Sequence, residues 1–135
     1  MLRVKKLSEN AILPHKAHGG DLGYDLFALE DIWIFPNMTA IVKTGIAIQL
    51  PDGYGAFIKD RSSVSTKRDL FTVAGVIDNG YVGEIGVALH NANPDNAQKI
   101  EAGTKIAQLV LIKTVNFEVQ EVEEVLSSDQ RGANG

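Results

Sequence analysis

The sequence has 135 residues, a formal net charge of -4 and no cysteine. This length suits one domain, the lack of cysteine excludes disulfides and thiolate metal sites, and the outnumbered, scattered basic residues offer no electrostatic footprint for nucleic acid. No run of residues has the length of a membrane span, and the N-terminus lacks the apolar run of a signal peptide. We therefore expect a protein without membrane or nucleic-acid partners, cytoplasmic by default.

Apolar residues alternate with other residues along much of the chain, which is the period of a β-strand. In chain order, Ile32 and Ile34 flank Trp33, and the same alternation recurs over residues 45–50 and 117–120. Turn sequences rich in Gly, Asp, Asn and Pro separate these runs. The pattern predicts short strands joined by tight connections.

The run 106–112 is nearly continuous apolar sequence apart from Gln108, which predicts a strand covered on both faces. No segment of ten or more residues carries a convincing helical stripe, and at most a short turn of helix fits, around residues 63–67. Many short strands predict an all-β domain, either a sandwich, a jelly roll or a small barrel. We assign this domain to residues 1–125 and a mobile polar tail to residues 126–135.

Two loop segments carry polar groups that suit a ligand. The segment GGDLGYDL, residues 19–26, surrounds Asp21 and Asp25 with glycines and can bring carboxylate and backbone near a divalent cation. A turn entering a strand explains it as well. The segment DRSS, residues 60–63, sets Arg61 beside two hydroxyls, and an Arg can bind phosphate bidentately. A capped turn with a surface ion pair is the alternative.

The segment GVIDNGYVGE, residues 75–84, is more specific. It places Asp78 at a strand end, facing the ring of Tyr81. Such a carboxylate can orient or deprotonate a water molecule while the ring packs on a sugar, although a simple hairpin turn also fits the sequence. Gln108, polar inside an apolar strand, needs a partner if it is buried, either in the core or in a ligand.

Taken together and in order, five segments resemble the motifs of the trimeric, all-β dUTPase family, and the resemblance covers nearly the whole chain. The five are GDLGYDL (20–26), DRSS (60–63), GVIDNGYVGE (75–84), GTKIAQL (103–109) and RGANG (131–135). The resemblance implies a distorted jelly roll that assembles as a homotrimer, with active sites built from several subunits. It also implies Mg2+-dependent hydrolysis of dUTP to dUMP and pyrophosphate, which controls dUTP levels and supplies dUMP for thymidylate synthesis.

The resemblance further implies a role for individual residues. Asp25 would hold Mg2+ through bound water, Asp78 would activate the water that attacks the α-phosphorus, and Tyr81 would pack on the deoxyribose. The expected phosphate ligands are Arg61, Ser62, Ser63, Gln108 and, closing over the γ-phosphate, Arg131. Uracil would lie on a hairpin of residues 75–86, read mainly by backbone groups at Gly75, Val76, Ile77, Asp78 and Gly86.

Two departures from the family pattern qualify this expectation. Thr72 stands where some members carry an Asn that touches the base, so we assign Thr72 no base contact. The sequence ends at Gly135, where the family motif would continue with Phe-Gly-Ser-Thr-Gly, so we expect neither base stacking nor complete closure by the tail.

Two other functions stay open. A dCTP deaminase relative would need a catalytic Glu where this chain has Val87, Ala88 and Leu89. A regulatory module would bind nucleotide on the same fold without turning it over, although both Asp25 and Asp78 are present.

Overall fold

A computed structural model describes residues 1–127 and 132–133, and within them the chain forms ten strands and one short helix. The strands are β1 (Arg3–Lys6), β2 (Tyr24–Phe27), β3 (Ile32–Ile34), β4 (Thr39–Gln49), β5 (Tyr54–Lys59), β6 (Leu70–Thr72), β7 (Val76–Ile77), β8 (Glu84–Asn91), β9 (Gln98–Ile100) and β10 (Lys105–Lys113). The helix, α1 (Ser62–Arg68), joins β5 to β6. The all-β prediction and the short helical turn are confirmed. Among the described residues, no helix has the length and apolar content to cross a bilayer.

The strands form two four-stranded sheets and one two-stranded sheet, in which every pairing is antiparallel among the described residues. The first sheet has the order β1-β4-β8-β6, the second β2-β10-β5-β7, and β3 pairs with β9. Strands distant in sequence are therefore neighbours, which is the connectivity of a jelly roll rather than of a simple meander. In the second sheet, β2 and β7 are the two edge strands.

One apolar core lies between the sheets. The first sheet contributes residues of β4 and β8, such as Ile46, Ile48 and Val87, and the second contributes residues of β5 and β10, such as Ile58 and Leu109. All five are less than one-tenth exposed. Burial of these side chains fixes the faces of the strands, because a slip of one residue would turn each apolar set toward solvent. Polar groups for a site must therefore lie outside this core.

Strand β10 contains a bulge next to β2. Lys105 pairs with Phe27 and Ala107 pairs with Leu26, so β10 advances two residues where β2 advances one. Ile106 is the extra residue. A bulge of this kind changes the direction in which neighbouring side chains point.

The predicted strand over residues 117–120 is absent from the structure. β10 ends at Lys113, and residues 114–127 form no strand. Phe117 is 85% exposed and Val119 is fully exposed, so the alternating apolar face has nothing to pack against within the described chain. The prediction was wrong for a single chain because alternation specifies a half-buried face without specifying what buries it. The boundary between domain and tail at residues 125 and 126 stays a prediction.

Candidate active site

Asp25 is the centre of a charged cluster on edge strand β2. Arg61 Nε lies 3.1 Å from Asp25 Oδ1, and Lys105 Nζ lies 3.1 Å from Asp25 Oδ2. The Asp25 side chain is only 13% exposed, so its charge is largely withdrawn from water and matched by two cations. Both carboxylate oxygens are thus engaged by groups that also attract anions.

Strand pairing brings this cluster together from distant parts of the sequence. Gln108 on β10 pairs with Asp25 on β2 and, on its other side, with Lys59 at the end of β5. Arg61 follows β5 by two residues and stands at the start of α1. The second and fourth sequence motifs therefore meet the first across three adjacent strands.

The cluster lines a cavity of about 390 Å³, here called the Asp25 pocket. Ser62 and Ser63 also line it, and both are exposed. Its other carboxylate, Asp21, accepts a hydrogen bond from the backbone N–H of His18 at 2.9 Å. Two cations, two hydroxyls and an amide around one open cavity can bind a chain of phosphate groups.

Gln108 is half-buried and has a hydrogen-bond partner within the chain. Its Nε2 donates to the carbonyl of Asp60 at 2.8 Å, which holds the amide at the wall of the Asp25 pocket. Gly23 makes room for it, because a Cβ at that position would lie 2.2 Å from Gln108 Oε1. Asp60, which the sequence did not single out, accepts a hydrogen bond from Thr72 N through its carboxylate at 2.6 Å.

The second group of expected residues lies on the segment 75–86, here called the 75–86 loop. Val76, Ile77, Asp78, Tyr81 and Gly86 line a separate cavity of about 170 Å³, together with Glu84. Asp78 is exposed, and its carbonyl accepts a turn hydrogen bond from Tyr81 N at 3.2 Å. Within the described part of the chain the Asp78 carboxylate makes no side-chain hydrogen bond, and it lines this cavity with the half-exposed ring of Tyr81, so it can act as a base on a bound water.

The hairpin predicted for residues 75–86 is wrong in its pairing. β7 pairs with β5, whereas β8 pairs with β4 and β6. The segment is therefore a loop that crosses from one sheet to the other. The two strands are drawn apart because Ile85, Val87 and Leu89 of β8 are fully buried in the core, whereas Val76 of β7 lies at an edge.

Backbone geometry and one side chain hold the 75–86 loop. Gly75 has φ +114°, and a Cβ there would lie 2.8 Å from the carbonyl oxygen of Ile58, so only glycine fits without strain. Asn79 donates from Nδ2 to the carbonyls of Pro51 at 2.8 Å and Tyr54 at 2.9 Å. The sequence pattern marks Asn79 only as a turn residue, and nothing local in it indicates these distant acceptors.

Tyr81 is fixed against its own loop. Its hydroxyl donates to the carbonyl of Glu84 at 3.0 Å, and the ring lies over Gly83, where a Cβ would be 2.6 Å from the hydroxyl oxygen. The Glu84 carboxylate in turn accepts a hydrogen bond from Gly45 N at 3.1 Å. The ring therefore has a defined position before any ligand binds.

The Asp25 pocket and the 75–86 loop are well separated within one chain. No residue lines both cavities. Asp25 lies on β2 and Asp78 follows β7, at opposite edges of the same four-stranded sheet. Three strand spacings correspond to roughly 14 Å. Arg131, the expected γ-phosphate ligand, lies outside the residues that the structure describes.

Val87 and Leu89 are fully buried in β8, and the strand carries no Glu between them. Ala88, the residue between them, is half-buried, so the stretch in which a deaminase would need its catalytic Glu offers no carboxylate in this chain. This arrangement gives no support to the deaminase alternative.

Two solved structures have closely similar folds. One is a variant dUTPase of Staphylococcus bacteriophage 80alpha with dUpNHpp, with a TM-score of 0.92 and 33% identity, covering 100% of this chain and 95% of that one. The other is a variant dUTPase from phage phi11 of S. aureus, and that structure reveals the coordination of a structural Mg(II) ion. It has a TM-score of 0.85 and 32% identity, and covers 92% of this chain and 97% of that one.

Sequence comparison agrees with the structural similarity. Two proteins named deoxyuridine 5'-triphosphate nucleotidohydrolase, from Thermobifida fusca and Clostridium novyi, are each 43% identical over 136 aligned residues. The alignments cover 99% of this chain, and 75% and 94% of those proteins. A family model described as dUTPase matches residues 9–135. On the evidence of this family model, these relatives and these structures, the chain belongs to the dUTPase family.

Proposed function

We propose that this chain hydrolyses dUTP to dUMP and pyrophosphate. The observation that best supports this function is that the motif residues form two groups. Cations, hydroxyls and an amide surround Asp25, and a carboxylate and a fixed aromatic ring line the cavity of the 75–86 loop. The first set suits a triphosphate and the second suits a deoxynucleoside with an attacking water. Phosphoryl transfer requires such positioning and charge neutralisation more than covalent chemistry.

In the proposed mechanism, Asp78 accepts a proton from the water that attacks the α-phosphorus. The carboxylate is exposed and makes no side-chain hydrogen bond among the described residues, so it is free to take this role. Tyr81 supports the deoxyribose, and its ring leaves no space for a 2'-hydroxyl. Backbone groups of Gly75, Val76, Ile77 and Gly86 bind uracil in this proposal, and Val76, Ile77 and Gly86 support it because they line the cavity of the loop.

The Asp25 pocket binds the phosphate chain. Arg61 provides a guanidinium, Ser62 and Ser63 provide hydroxyl donors, and Gln108 provides the remaining amide hydrogen, since its other one is directed to Asp60. Arg131 adds a further cation at the γ-phosphate. Holding the leaving pyrophosphate in this way stabilises the negative charge that develops on it.

Asp25 fits a Mg2+ ion that arrives with the nucleotide. Mg2+ retains several waters and is commonly bound by one or two carboxylates together with substrate phosphates, and among the described residues no cluster of three His, Cys, Asp or Glu side chains forms a site. A single carboxylate, contacting the ion through water, matches that requirement. When bound, the ion neutralises charge on the phosphate oxygens.

The active unit in this proposal is a homotrimer with shared sites. A base that activates water at the α-phosphorus must lie within hydrogen-bond reach of that water, yet Asp78 and Asp25 are at opposite sheet edges in one chain. A neighbouring copy can supply the missing half. Exposed apolar residues support such an assembly: Val76 is 68% exposed on edge strand β7, and Val115 and Phe117 extend beyond β10. Light scattering that gives a stable monomer at micromolar concentration would contradict the trimer.

Pyrophosphate release from dUTP, with Mg2+ and with EDTA, tests the proposed activity. We expect Mg2+-dependent release and a kcat/KM for dUTP at least about a hundredfold above that for dCTP, because the cytosine amino group presents a donor where uracil presents an acceptor. Equal kcat/KM values for the two nucleotides would contradict it. Ammonia release from dCTP would identify a deaminase, and dUpNHpp binding without turnover of dUTP would identify a binding module. The cytoplasmic location stays a prediction.

A further inference from the structure

Lys105 reaches Asp25 only because of the bulge in β10. Side chains on a regular strand alternate between faces, so Lys105 and Gln108, three residues apart, would point in opposite directions. Gln108 pairs directly with Asp25 and so shares its face. The extra residue at Ile106 reverses the alternation and returns Lys105 to that same face.

The bulge delivers an ammonium group to the wall of the Asp25 pocket. Lys105 Nζ lies 3.1 Å from Asp25 Oδ2, on the carboxylate oxygen that Arg61 does not contact. The Lys105 side chain is 36% exposed, and it lines the cavity together with Ser62 and Gln108. A lysine in this position has a flexible stem and three donor hydrogens, so it can exchange one anionic partner for another.

A purely structural ion pair is the alternative, and the same chain provides a comparison. Lys99 Nζ lies 3.9 Å from Asp31 Oδ2, with both side chains more than two-fifths exposed, beside the regularly paired strands β3 and β9. Such surface pairs contribute little to stability. The Lys105–Asp25 pair differs because a bulge interrupts the strand ladder beside it and places the ammonium group in a cavity. An ion pair that only stabilises the fold requires neither the bulge nor the cavity.

We propose that Lys105 is a further triphosphate-binding residue. In the empty pocket its ammonium pairs with Asp25, and when the nucleotide enters it transfers to a phosphate oxygen. The transfer leaves Asp25 Oδ2 free to face the water shell of the ion that accompanies the substrate. The inference rests on the proposed function, but it concerns this lysine alone.

Calorimetry with dUpNHpp, which is not consumed, tests the inference in the presence of Mg2+ and in EDTA. Lys105→Gln should raise the Kd about tenfold or more in both conditions, since it removes a charge-assisted hydrogen bond to the ligand. Deoxyuridine, which has no phosphate, should bind Lys105→Gln and the parent alike. Lys105→Arg should restore most of the affinity, and Lys99→Gln is the matched control that should leave every Kd unchanged.

The EDTA experiment separates the two roles of Lys105. If the lysine only steadies Asp25 for the metal, Lys105→Gln will bind dUpNHpp as the parent does in EDTA, and the inference is overturned. An equal loss of affinity for deoxyuridine would overturn it as well, because the effect would then be on the fold. If the parent binds inorganic pyrophosphate but not dUpNHpp, the proposed function fails, and pyrophosphate becomes the probe on which Lys105→Gln must still weaken binding.

Discussion

The Asp25 pocket is organised by contacts between side chains: Arg61 Nε and Lys105 Nζ each lie 3.1 Å from one carboxylate oxygen of Asp25. In the 75–86 loop, by contrast, the main chain sets the shape, through Gly75 at φ +114° and through two carbonyls that accept from Asn79. On the proposed function, the pocket would recognise the charge of the phosphate chain, because its long side chains can rotate to meet it. The loop would recognise the shape of the nucleoside, because its main chain is fixed when the protein folds.

This difference determines which substitutions each region tolerates. The loop depends on the close approach of Gly75 to Ile58, whereas the pocket depends on the two cations at Asp25 and on the space that Gly23 leaves for Gln108. The following substitutions, in order of decreasing effect, test that contrast.

Asp78→Asn should have the largest effect, because it removes the proposed base from a loop whose shape it does not alter. We expect kcat for dUTP to fall by roughly a hundredfold or more, with dUpNHpp affinity preserved. Steady-state kinetics and calorimetry measure the two quantities. A kcat within about threefold of the parent would rule out Asp78 as the base.

Gly75→Ala should be the most damaging neutral change in the loop. Its Cβ would lie 2.8 Å from the carbonyl oxygen of Ile58, at a φ that disfavours any side chain. We expect kcat/KM for dUTP to fall by about 10- to 100-fold, because the loop must shift relative to the substrate. Binding of inorganic pyrophosphate should be unaffected, since that ligand uses the other cluster. Equal losses for both ligands would show that the two regions are not independent.

Gly23→Ala should damage the Asp25 pocket through Gln108. The new Cβ would lie 2.2 Å from Gln108 Oε1 and displace the amide from the pocket wall. We expect kcat/KM to fall about tenfold, the value of a hydrogen bond to a charged ligand. Gly20→Ala is the matched control in the same motif, because a Cβ there meets no atom within 4 Å. Similar losses in both variants would mean that motif flexibility, not Gln108, is responsible.

Asn79→Ala should have the smallest effect. It removes two hydrogen bonds that fasten the 75–86 loop to the turn between β4 and β5. Because these bonds are exposed to water, we expect a loss of about fivefold in kcat, equal to one net hydrogen bond of about 1 kcal/mol. Asn10→Ala, at another exposed asparagine, serves as the control. Parent-like kinetics in Asn79→Ala would show that glycine geometry alone holds the loop.

The strands were predictable where burial in the same chain enforces alternation. Trp33 is exposed between Ile32 and the buried Ile34. Ile46 and Ile48 are buried as their spacing predicts, although Ala47 between them is buried as well. Residues 117–120 carry the same alternation but no strand. An alternating sequence records that one face will be covered, and it does not record whether the same chain or another molecule covers it.

Much of the site was identified from motifs, and the structure brings Asp25, Arg61 and Gln108 together. Lys105 was overlooked although it lies inside the fourth motif, because its face depends on the bulge at Ile106. The face of a side chain cannot be predicted by counting alternate residues along a strand when the strand contains a bulge that the sequence does not indicate. Asn79 was overlooked for a related reason, since its acceptors lie more than twenty residues away.

The separation of Asp25 and Asp78 within one chain has a genetic consequence on the proposed assembly. Two inactive proteins, one altered at Arg61 and the other at Asp78, would complement each other when their subunits mix. Random mixing in equal amounts would leave about a quarter of the shared sites with both halves intact. Conversely, a defective subunit expressed beside a normal one would inactivate shared sites to which the normal subunit contributes the other half. Dominance of this kind is a property of the sheet, which places the two halves at opposite edges.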